Sequence, residues 1–212
     1  MQKYKYVLLD WDGNLARTLD LWLDAFKTVL EKRGIMVSDE EIAGSFGAFV
    51  GFMRSHGLAD PEAAWAEADQ IAQAALPEVE LYPDALFVLN ELHSAGKKLA
   101  LITTSPHKNV AHLLEKHAIR QLFDVIVAGD DVTHHKPHSE PLEMALTALA
   151  GVKDQAVMIG DSDKDLGAAQ NFGIDSILFY PAEHHKFYNL ASLEVYKPTH
   201  VIADFKDILQ TI

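Results

Sequence analysis

Short apolar segments alternate with helix-like segments through most of this chain, and this alternation is the feature that most constrains its fold. The apolar segments are residues 6–9, 98–102, 124–128, 156–159 and 176–179, with a weaker one at 199–202. The helix-like segments between them run roughly over residues 84–95, 107–117, 139–150 and 164–172. Strands and helices that alternate at this spacing usually form a parallel sheet with helices on both faces. We therefore predict a doubly wound α/β core.

The segment that follows the first predicted strand has a different pattern, because it is helical for some sixty residues. Apolar residues recur at helical spacing over residues 19–30, and Ser38 with Glu41 has the pattern of a capping box at the start of a second helix. The pair Asp60-Pro61 opens a further helix. We predict an inserted all-helical domain over residues 15–81, within a core made of residues 1–14 and 82–212.

Composition excludes several classes of function. The sequence has no cysteine, so disulfides, thiol catalysis and thiolate metal sites are excluded. A formal net charge of −13 opposes nonspecific binding to nucleic acid. No stretch of the sequence has the apolar length of a membrane span, and the first residues lack a secretory signal pattern. We expect a cytoplasmic monomer or homodimer that acts on a small molecule and binds neither nucleic acid nor membrane.

Reactive side chains follow four of the predicted strands, where open parallel sheets bind their ligands. They are Asp10 and Asp12, Thr103 and Thr104, Lys136, and Asp161 with Asp165. Holding two carboxylates close together is costly and usually implies a cation or a shared proton. The set offers a carboxylate nucleophile, a second carboxylate for proton transfer, hydroxyl donors and one ammonium. It matches phosphoryl transfer to an aspartate with a divalent cation.

These residues resemble the motifs of the haloacid dehalogenase superfamily, in the branch that carries a small helical cap. In chain order the matching segments are residues 10–15, with the sequence DWDGNL, then Thr103, Lys136-Pro137, and residues 160–165. The resemblance covers nearly the whole chain and is nearest to phosphoglycolate phosphatase-like members. It implies a Rossmann-like core with an inserted cap domain. Two positions depart from the family pattern: Asn14 replaces the commoner threonine or valine, and Thr104 replaces a common asparagine.

The resemblance also implies roles for the core residues. Asp10 would attack phosphorus to form an aspartyl-phosphate, and Asp12 would protonate the leaving alcohol and then activate water. Thr103, Thr104 and Lys136 would bind the phosphoryl oxygens. Dehalogenase-type members, which attack carbon, lack the second aspartate, so the presence of Asp12 argues against dehalogenation.

The cofactor implied by the resemblance is Mg²⁺. Its ligands would be the Asp10 carboxylate, the Asp12 carbonyl and the Asp161 carboxylate, with phosphate and water completing an octahedron of oxygens. Asp165 lies four residues after Asp161, hence on a similar helical face, and would orient the site without contacting the metal.

The inserted domain is expected to select the substrate. Arg17 and Arg54 are the best candidates to hold an anionic leaving group, such as a carboxylate or a second phosphate. Five aromatic residues of this domain are expected to form its core, with an apolar substrate pocket as the alternative: Trp22, Phe26, Phe49, Phe52 and Trp65.

The sequence therefore predicts a Mg²⁺-dependent phosphatase for a small phosphate monoester of the phosphoglycolate or sugar-phosphate kind. A phosphomutase, which uses the same intermediate, and a non-catalytic scaffold that senses metal or phosphate are the alternatives. The histidine pairs 134–135 and 184–185 are expected on solvated loops and not at a zinc site, since adjacent side chains point in different directions. A minor role near the substrate stays open for His184, His185 and Lys186.

Overall fold

A computed structural model describes residues 3–46 and 48–212 as an α/β core with a helical insertion. Residues 1 and 2 of the predicted core and residue 47 of the predicted helical domain lie outside the described residues. The strands are β1 (Tyr6–Asp10), β2 (Lys98–Ile102), β3 (Val125–Val127), β4 (Ala156–Gly160), β5 (Asp175–Phe179) and β6 (His200–Ile202). They form one parallel sheet in the order β3-β2-β1-β4-β5-β6. The prediction of a doubly wound parallel sheet is confirmed.

The helices of the core connect successive strands, as the alternating pattern predicts. Over the described ranges the α-helices are α1 (Leu19–Lys32), α2 (Asp39–Gly44), α3 (Phe49–Ser55), α4 (Pro61–Ala75), α5 (Ala85–Ser94), α6 (His107–Lys116), α7 (Glu140–Ala148), α8 (Asp163–Phe172), α9 (Leu190–Glu194) and α10 (Ile208–Thr211). The sequence did not predict α9 and α10, because helices this short show too few turns for an apolar period to emerge. Among the described residues, no helix combines the length and apolarity that crossing a bilayer requires.

Both faces of the sheet are covered, and the alternation of side chains along β1 shows how. Val7 and Leu9 belong to the apolar layer formed with α5, α6 and α10. Tyr6 and Leu8 belong to the opposite layer, formed with α7 and α8. All five residues of β1 are buried, which is why this strand reads as a continuous apolar run.

The insertion between β1 and α5 consists of α1 to α4, and their apolar core also includes Phe187 from the segment after β5. Ser38 begins α2 with the predicted capping box: the Glu41 amide donates to Ser38 Oγ at 3.2 Å, and the Ser38 amide donates to Glu41 Oε2 at 2.9 Å. Asp60 caps α4 by accepting from the Ala63 amide at 3.0 Å. Local capping therefore fixes where α2 and α4 begin.

Two chain segments connect the insertion to the core, and they are hydrogen-bonded to each other. The Arg17 amide donates to the Glu80 carbonyl at 3.0 Å, and the Tyr82 amide donates to the Leu15 carbonyl at 2.9 Å. The second segment is also attached to α6, since Lys116 Nζ donates to the Val79 carbonyl at 3.0 Å.

His184 is fully buried where the second connection meets the sheet. Its Nε2 lies 2.8 Å from the Tyr82 hydroxyl, and its ring packs edge-on against Tyr82 and Phe179. This differs from the expected solvated loop histidine, because the turn after β5 folds back over the sheet. Burial among aromatic rings lowers the pKa of His184 from 6.5 to about 4.

This burial predicts a pH dependence of stability. Above pH 6.5 the imidazole is neutral in both states; as the pH falls towards 4, the unfolded chain takes up a proton that the folded protein excludes. The free energy of unfolding should fall by about 2 kcal/mol between pH 7 and pH 5 from this residue. Urea unfolding of His184→Gln should show a correspondingly smaller pH dependence, whereas the exposed control His112→Gln should match the wild type. An unchanged pH dependence in His184→Gln would contradict this assignment.

Candidate active site

The chain adds strands on one side of β1 as far as β3 and then continues on its other side with β4. The carboxyl ends of β1 and β4 therefore lie next to each other. Asp10 is the last residue of β1, and Asp161 directly follows β4. Such a switch point opens a crevice at the edge of a parallel sheet. Lys136 reaches this crevice from the segment between β3 and α7, and Asp165 from the first turn of α8.

Lys136 joins two of these carboxylates. Its buried ammonium donates to Asp10 Oδ1, to Asp165 Oδ1 at 2.6 Å and to the Ile102 carbonyl at 3.1 Å. The other oxygen of Asp165 accepts from the Ser162 amide at 3.1 Å and from its hydroxyl at 2.7 Å. Both Asp165 oxygens are therefore in use, and its carboxylate fixes Lys136 to the start of α8.

The cluster carries more negative charge than Lys136 can balance. Carboxylate oxygens of Asp10, Asp161 and Asp165 all lie within 4.8 Å of one another, and all three side chains are buried. Burial, followed by the charge of neighbouring Asp165, raises the pKa of both Asp10 and Asp161. Burial alone would lower the pKa of Lys136, but the Asp10 and Asp165 charges hold it above its usual value. The ammonium is therefore charged, and its single positive charge faces three buried carboxyl groups.

Asp161 has room for a further ligand. Its Oδ2 is buried and has no hydrogen-bond partner among the described residues. Gly13 passes so close that a Cβ there would lie 2.3 Å from this oxygen, and its φ of +79° also favours glycine. An unpartnered carboxylate oxygen beside Asp10 provides the hard oxygen ligands that Mg²⁺ prefers. The residues present thus fit a divalent cation between Asp10 and Asp161.

Asp12 has different surroundings from Asp10. Its Oδ1 accepts from the Thr18 hydroxyl at 2.7 Å and from the Trp22 indole at 3.3 Å. Its Oδ2 accepts from the Ser105 hydroxyl at 2.8 Å. Donors from both the insertion and the core therefore orient this carboxylate, which lines the same cavity as Asp10.

The turn after β2 supplies polar groups to the cavity. Thr104 and Ser105 line it, whereas Thr103 lies beneath them: its buried Oγ1 accepts from the Ser105 amide at 3.0 Å and lies 3.5 Å from Asp12 Oδ2. Gly129 lets the neighbouring loop approach, since a Cβ there would lie 2.2 Å from the Thr104 carbonyl oxygen. Thr103 thus shapes the turn that presents its two neighbours.

The structure does not bring the two candidate arginines of the insertion to this site. Arg17 pairs with Glu183 at 3.2 Å, and Arg54 pairs with Glu62 at 2.5 Å; neither lines the cavity. Both face solvent, where an acidic partner is available to each side chain. The other predicted site residues converge on one edge of the sheet.

The sequence did not predict several contacts at the site, although it placed Ser105 after the second strand and offered Trp22 as part of the helical core or of an apolar pocket. Ser105 and Trp22 hold Asp12, and Lys164 and Asn109 line the cavity. Tyr188 lies beside Asp161, and its burial, together with that negative charge, raises the pKa of its hydroxyl. The only sequence signal for Tyr188 is its place after β5 on the predicted active edge, where the histidines and Lys186 drew attention instead.

The structure thus combines a parallel α/β sheet, a lysine-bridged carboxylate cluster at its switch point and a helical insertion. The sequence profile of the haloacid dehalogenase-like hydrolase family matches residues 7–179. This chain therefore belongs to that family, and the prediction of an enzyme of the hydrolase class is confirmed.

Individual relatives agree with this assignment. Pyrophosphatase PpaX of Bacillus mycoides is 35% identical over 131 residues, which cover 62% of this chain and 59% of the relative. The match thus spans about three fifths of that protein's length. A haloacid dehalogenase-like hydrolase structure from Bacteroides fragilis superposes with a TM-score of 0.86 at 26% identity, covering 97% of this chain and all of that one. A structure from Lactobacillus plantarum, named for phosphoglycolate phosphatase, shares the fold with a TM-score of 0.85 at 22% identity over 99% of this chain and 100% of that one.

The charge cluster predicts a large effect of removing its ammonium. Lys136→Met should lower the free energy of unfolding by about 3 to 5 kcal/mol, because two buried carboxylates lose the one cationic partner they have among the described residues. Lys206→Met, which breaks the exposed ion pair with Asp84, should change stability only slightly. Urea unfolding at pH 7 compares the two variants; equal, small losses would show that Lys136 does not balance the cluster.

Proposed function

We propose that this protein is a phosphatase that hydrolyses a small phosphate monoester through a phosphorylated Asp10. The observation that carries the proposal is that Asp10 and Asp12 line one cavity in two different environments. Asp10 is paired with Lys136, whereas hydroxyl and indole groups hold Asp12. A pair of carboxylates with different surroundings is typical of a nucleophile beside an acid-base group. The Bacillus relatives named pyrophosphatase PpaX support a substrate that contains phosphorus.

The residues divide the reaction into two steps. In the first, an Asp10 oxygen attacks phosphorus, the bond to the leaving oxygen breaks, and protonated Asp12 gives that oxygen a proton. In the second, Asp12 takes a proton from water, whose oxygen attacks phosphorus and releases Asp10 and inorganic phosphate. The hydroxyls of Thr18 and Ser105 can accept as well as donate, so they can hold Asp12 in either protonation state.

Lys136 and the turn after β2 serve the phosphoryl group. The ammonium keeps the Asp10 oxygen in place and lowers the cost of negative charge next to it. Thr104 and Ser105 line the cavity beside Asp12, and we propose that this turn, supported by Thr103, positions the phosphoryl oxygens. Asp165 acts only through Lys136 and Ser162.

A divalent cation, Mg²⁺ by its preference for oxygen ligands, would be held by Asp10 and Asp161. When bound, it would supply positive charge against the phosphoryl oxygens and lower the repulsion between substrate and nucleophile. We further propose that residues 15–81 act as a cap domain that closes over the cavity and excludes water.

Activity of Asp10→Asn tests the nucleophile. With Mg²⁺ present, the wild type should release inorganic phosphate from a panel of phosphate monoesters, and Asp10→Asn should lower kcat by at least about a thousandfold because it removes the attacking oxygen's charge. Malachite green detection of phosphate gives the rates. A variant with full turnover would refute the mechanism. Conversion of a sugar phosphate into its isomer without phosphate release would instead identify a phosphomutase.

Thermal unfolding tests the cation site independently of activity. Mg²⁺ at a hundredfold excess over its dissociation constant should stabilise the wild type by about 2.7 kcal/mol. Asp161→Asn should lose this stabilisation, and without Mg²⁺ it should be at least as stable as the wild type, because it removes a charge from a crowded cluster. An equal Mg²⁺ response in Asp161→Asn would show that the cation binds elsewhere. The exposed Asp154→Asn is a suitable control.

A further inference from the structure

We propose that the substrate's leaving group is an uncharged apolar alcohol, aromatic or alkyl, and that it carries no second anionic group. This inference rests on the proposed phosphatase function and specifies its substrate class. It departs from the phosphoglycolate-like or sugar-phosphate-like substrate that the sequence predicts. The evidence lies in the cavity wall formed by the insertion.

The cavity has a volume of about 350 Å³ and two unlike walls. The core side carries the carboxylates, Lys136, and the polar turn after β2. The side formed by the insertion carries apolar side chains throughout the described residues: Leu19, Trp22, Phe26, Phe46, Ala48, Phe49, Val50 and Trp65, with Gly51. A cavity of this size accommodates a small organic group beyond the phosphoryl site.

The aromatic residues of this wall support one another, so the surface is already formed. The rings of Phe26 and Phe49 stack with centroids 3.6 Å apart, and Trp22 and Phe46 lie against Phe26 at 5.7 and 5.8 Å. Ring surfaces of this kind favour an apolar or aromatic group. When such a group covers the wall, apolar surface is removed from water, which favours binding.

Charge on the insertion disfavours a second anion. Residues 15–81 contain five Lys and Arg residues against twelve Asp and Glu residues. Each of the five cations is within ion-pair distance of a carboxylate, and none lines the cavity: Arg17, Lys27, Lys32, Arg33 and Arg54. A carboxylate or second phosphate on the leaving group would therefore meet an apolar wall on a net-negative domain, with no cation of that domain at the cavity to balance it.

A sugar is disfavoured by the same wall for a different reason. Among the described residues that line it, the polar side-chain groups are the indole N–H of Trp22, which already donates to Asp12, and that of Trp65. An indole N–H donates but does not accept, so most hydroxyl groups turned towards this wall would lose their hydrogen bonds to water without replacement. Among the described residues, the lysines that line the cavity are Lys136 and Lys164, and both belong to the core. Lys136 is paired with Asp10 and Asp165, and Lys164 lies 3.3 Å from Asp163.

Matched alkyl esters test the inference, because their leaving alcohols have similar reactivity. With Mg²⁺ present, kcat/KM for benzyl phosphate should exceed that for phosphoglycolate and glucose 6-phosphate by at least about tenfold. A higher kcat/KM for phosphoglycolate, glucose 6-phosphate or pyrophosphate would overturn the inference and leave the phosphatase function in place. Absence of phosphate release from every ester would refute the proposed function itself.

Variants of the apolar wall locate the effect. Trp65→Ala should lower kcat/KM for benzyl phosphate at least about fivefold more than for methyl phosphate, whereas Phe87→Ala, exposed on α5, should leave both unchanged. Val50→Arg should raise kcat/KM for phosphoglycolate relative to benzyl phosphate, because it adds a cation to the wall. Equal effects of Trp65→Ala on both esters, together with no shift in Val50→Arg, would overturn the inference.

Calorimetry with Asp10→Asn separates recognition from turnover. This variant should bind benzyl phosphate at least about tenfold more tightly than phosphoglycolate in the presence of Mg²⁺. The reverse order of affinity would contradict the inference even if neither ester is hydrolysed.

Discussion

The buried ammonium of Lys136 is the interaction on which the site depends. It connects three separate parts of the chain: the end of β1 through Asp10, the end of β2 through the Ile102 carbonyl, and the start of α8 through Asp165. Buried charges are stable only when they are paired and fully hydrogen-bonded, so each partner restricts where the others can lie. The position of Asp10, the proposed nucleophile, is therefore set by several parts of the sheet edge and not by one loop.

The core and the insertion divide the chemistry between them. The core collects charge, with buried carboxylates around one lysine, and the insertion presents aromatic and aliphatic side chains to the same cavity. Asp12 lies at the boundary, since it accepts hydrogen bonds from Thr18 and Trp22 on one side and from Ser105 on the other. Asp12, the proposed acid-base group, thus keeps all of these hydrogen bonds only while the two parts are together.

Much of this arrangement could be predicted from sequence, because strand ends in a parallel sheet meet at one edge. Asp10, Lys136, Asp161 and Asp165 each follow a strand with a clear apolar pattern, and the structure places them within one cluster. Side chains of the insertion were harder to place. Arg17 and Arg54 have the right chemistry for an anion, but ion pairs with Glu183 and Glu62 decide their position, and a periodic pattern does not reveal such pairing. The same limit applied to Tyr188 and His184, whose burial depends on how one irregular turn folds back.

The hydrogen-bonded pair of connections restricts how the insertion can move. Residues 15–17 and 80–82 cross side by side and share backbone hydrogen bonds, and Lys116 ties the second crossing to α6. Two adjacent hydrogen-bonded segments resist sliding and twisting apart more than a single connection does, so for the cap closure proposed above they favour a swing about the line they define. Because Trp22 packs with the other apolar side chains of the insertion, such a swing would carry them together towards or away from the sheet edge.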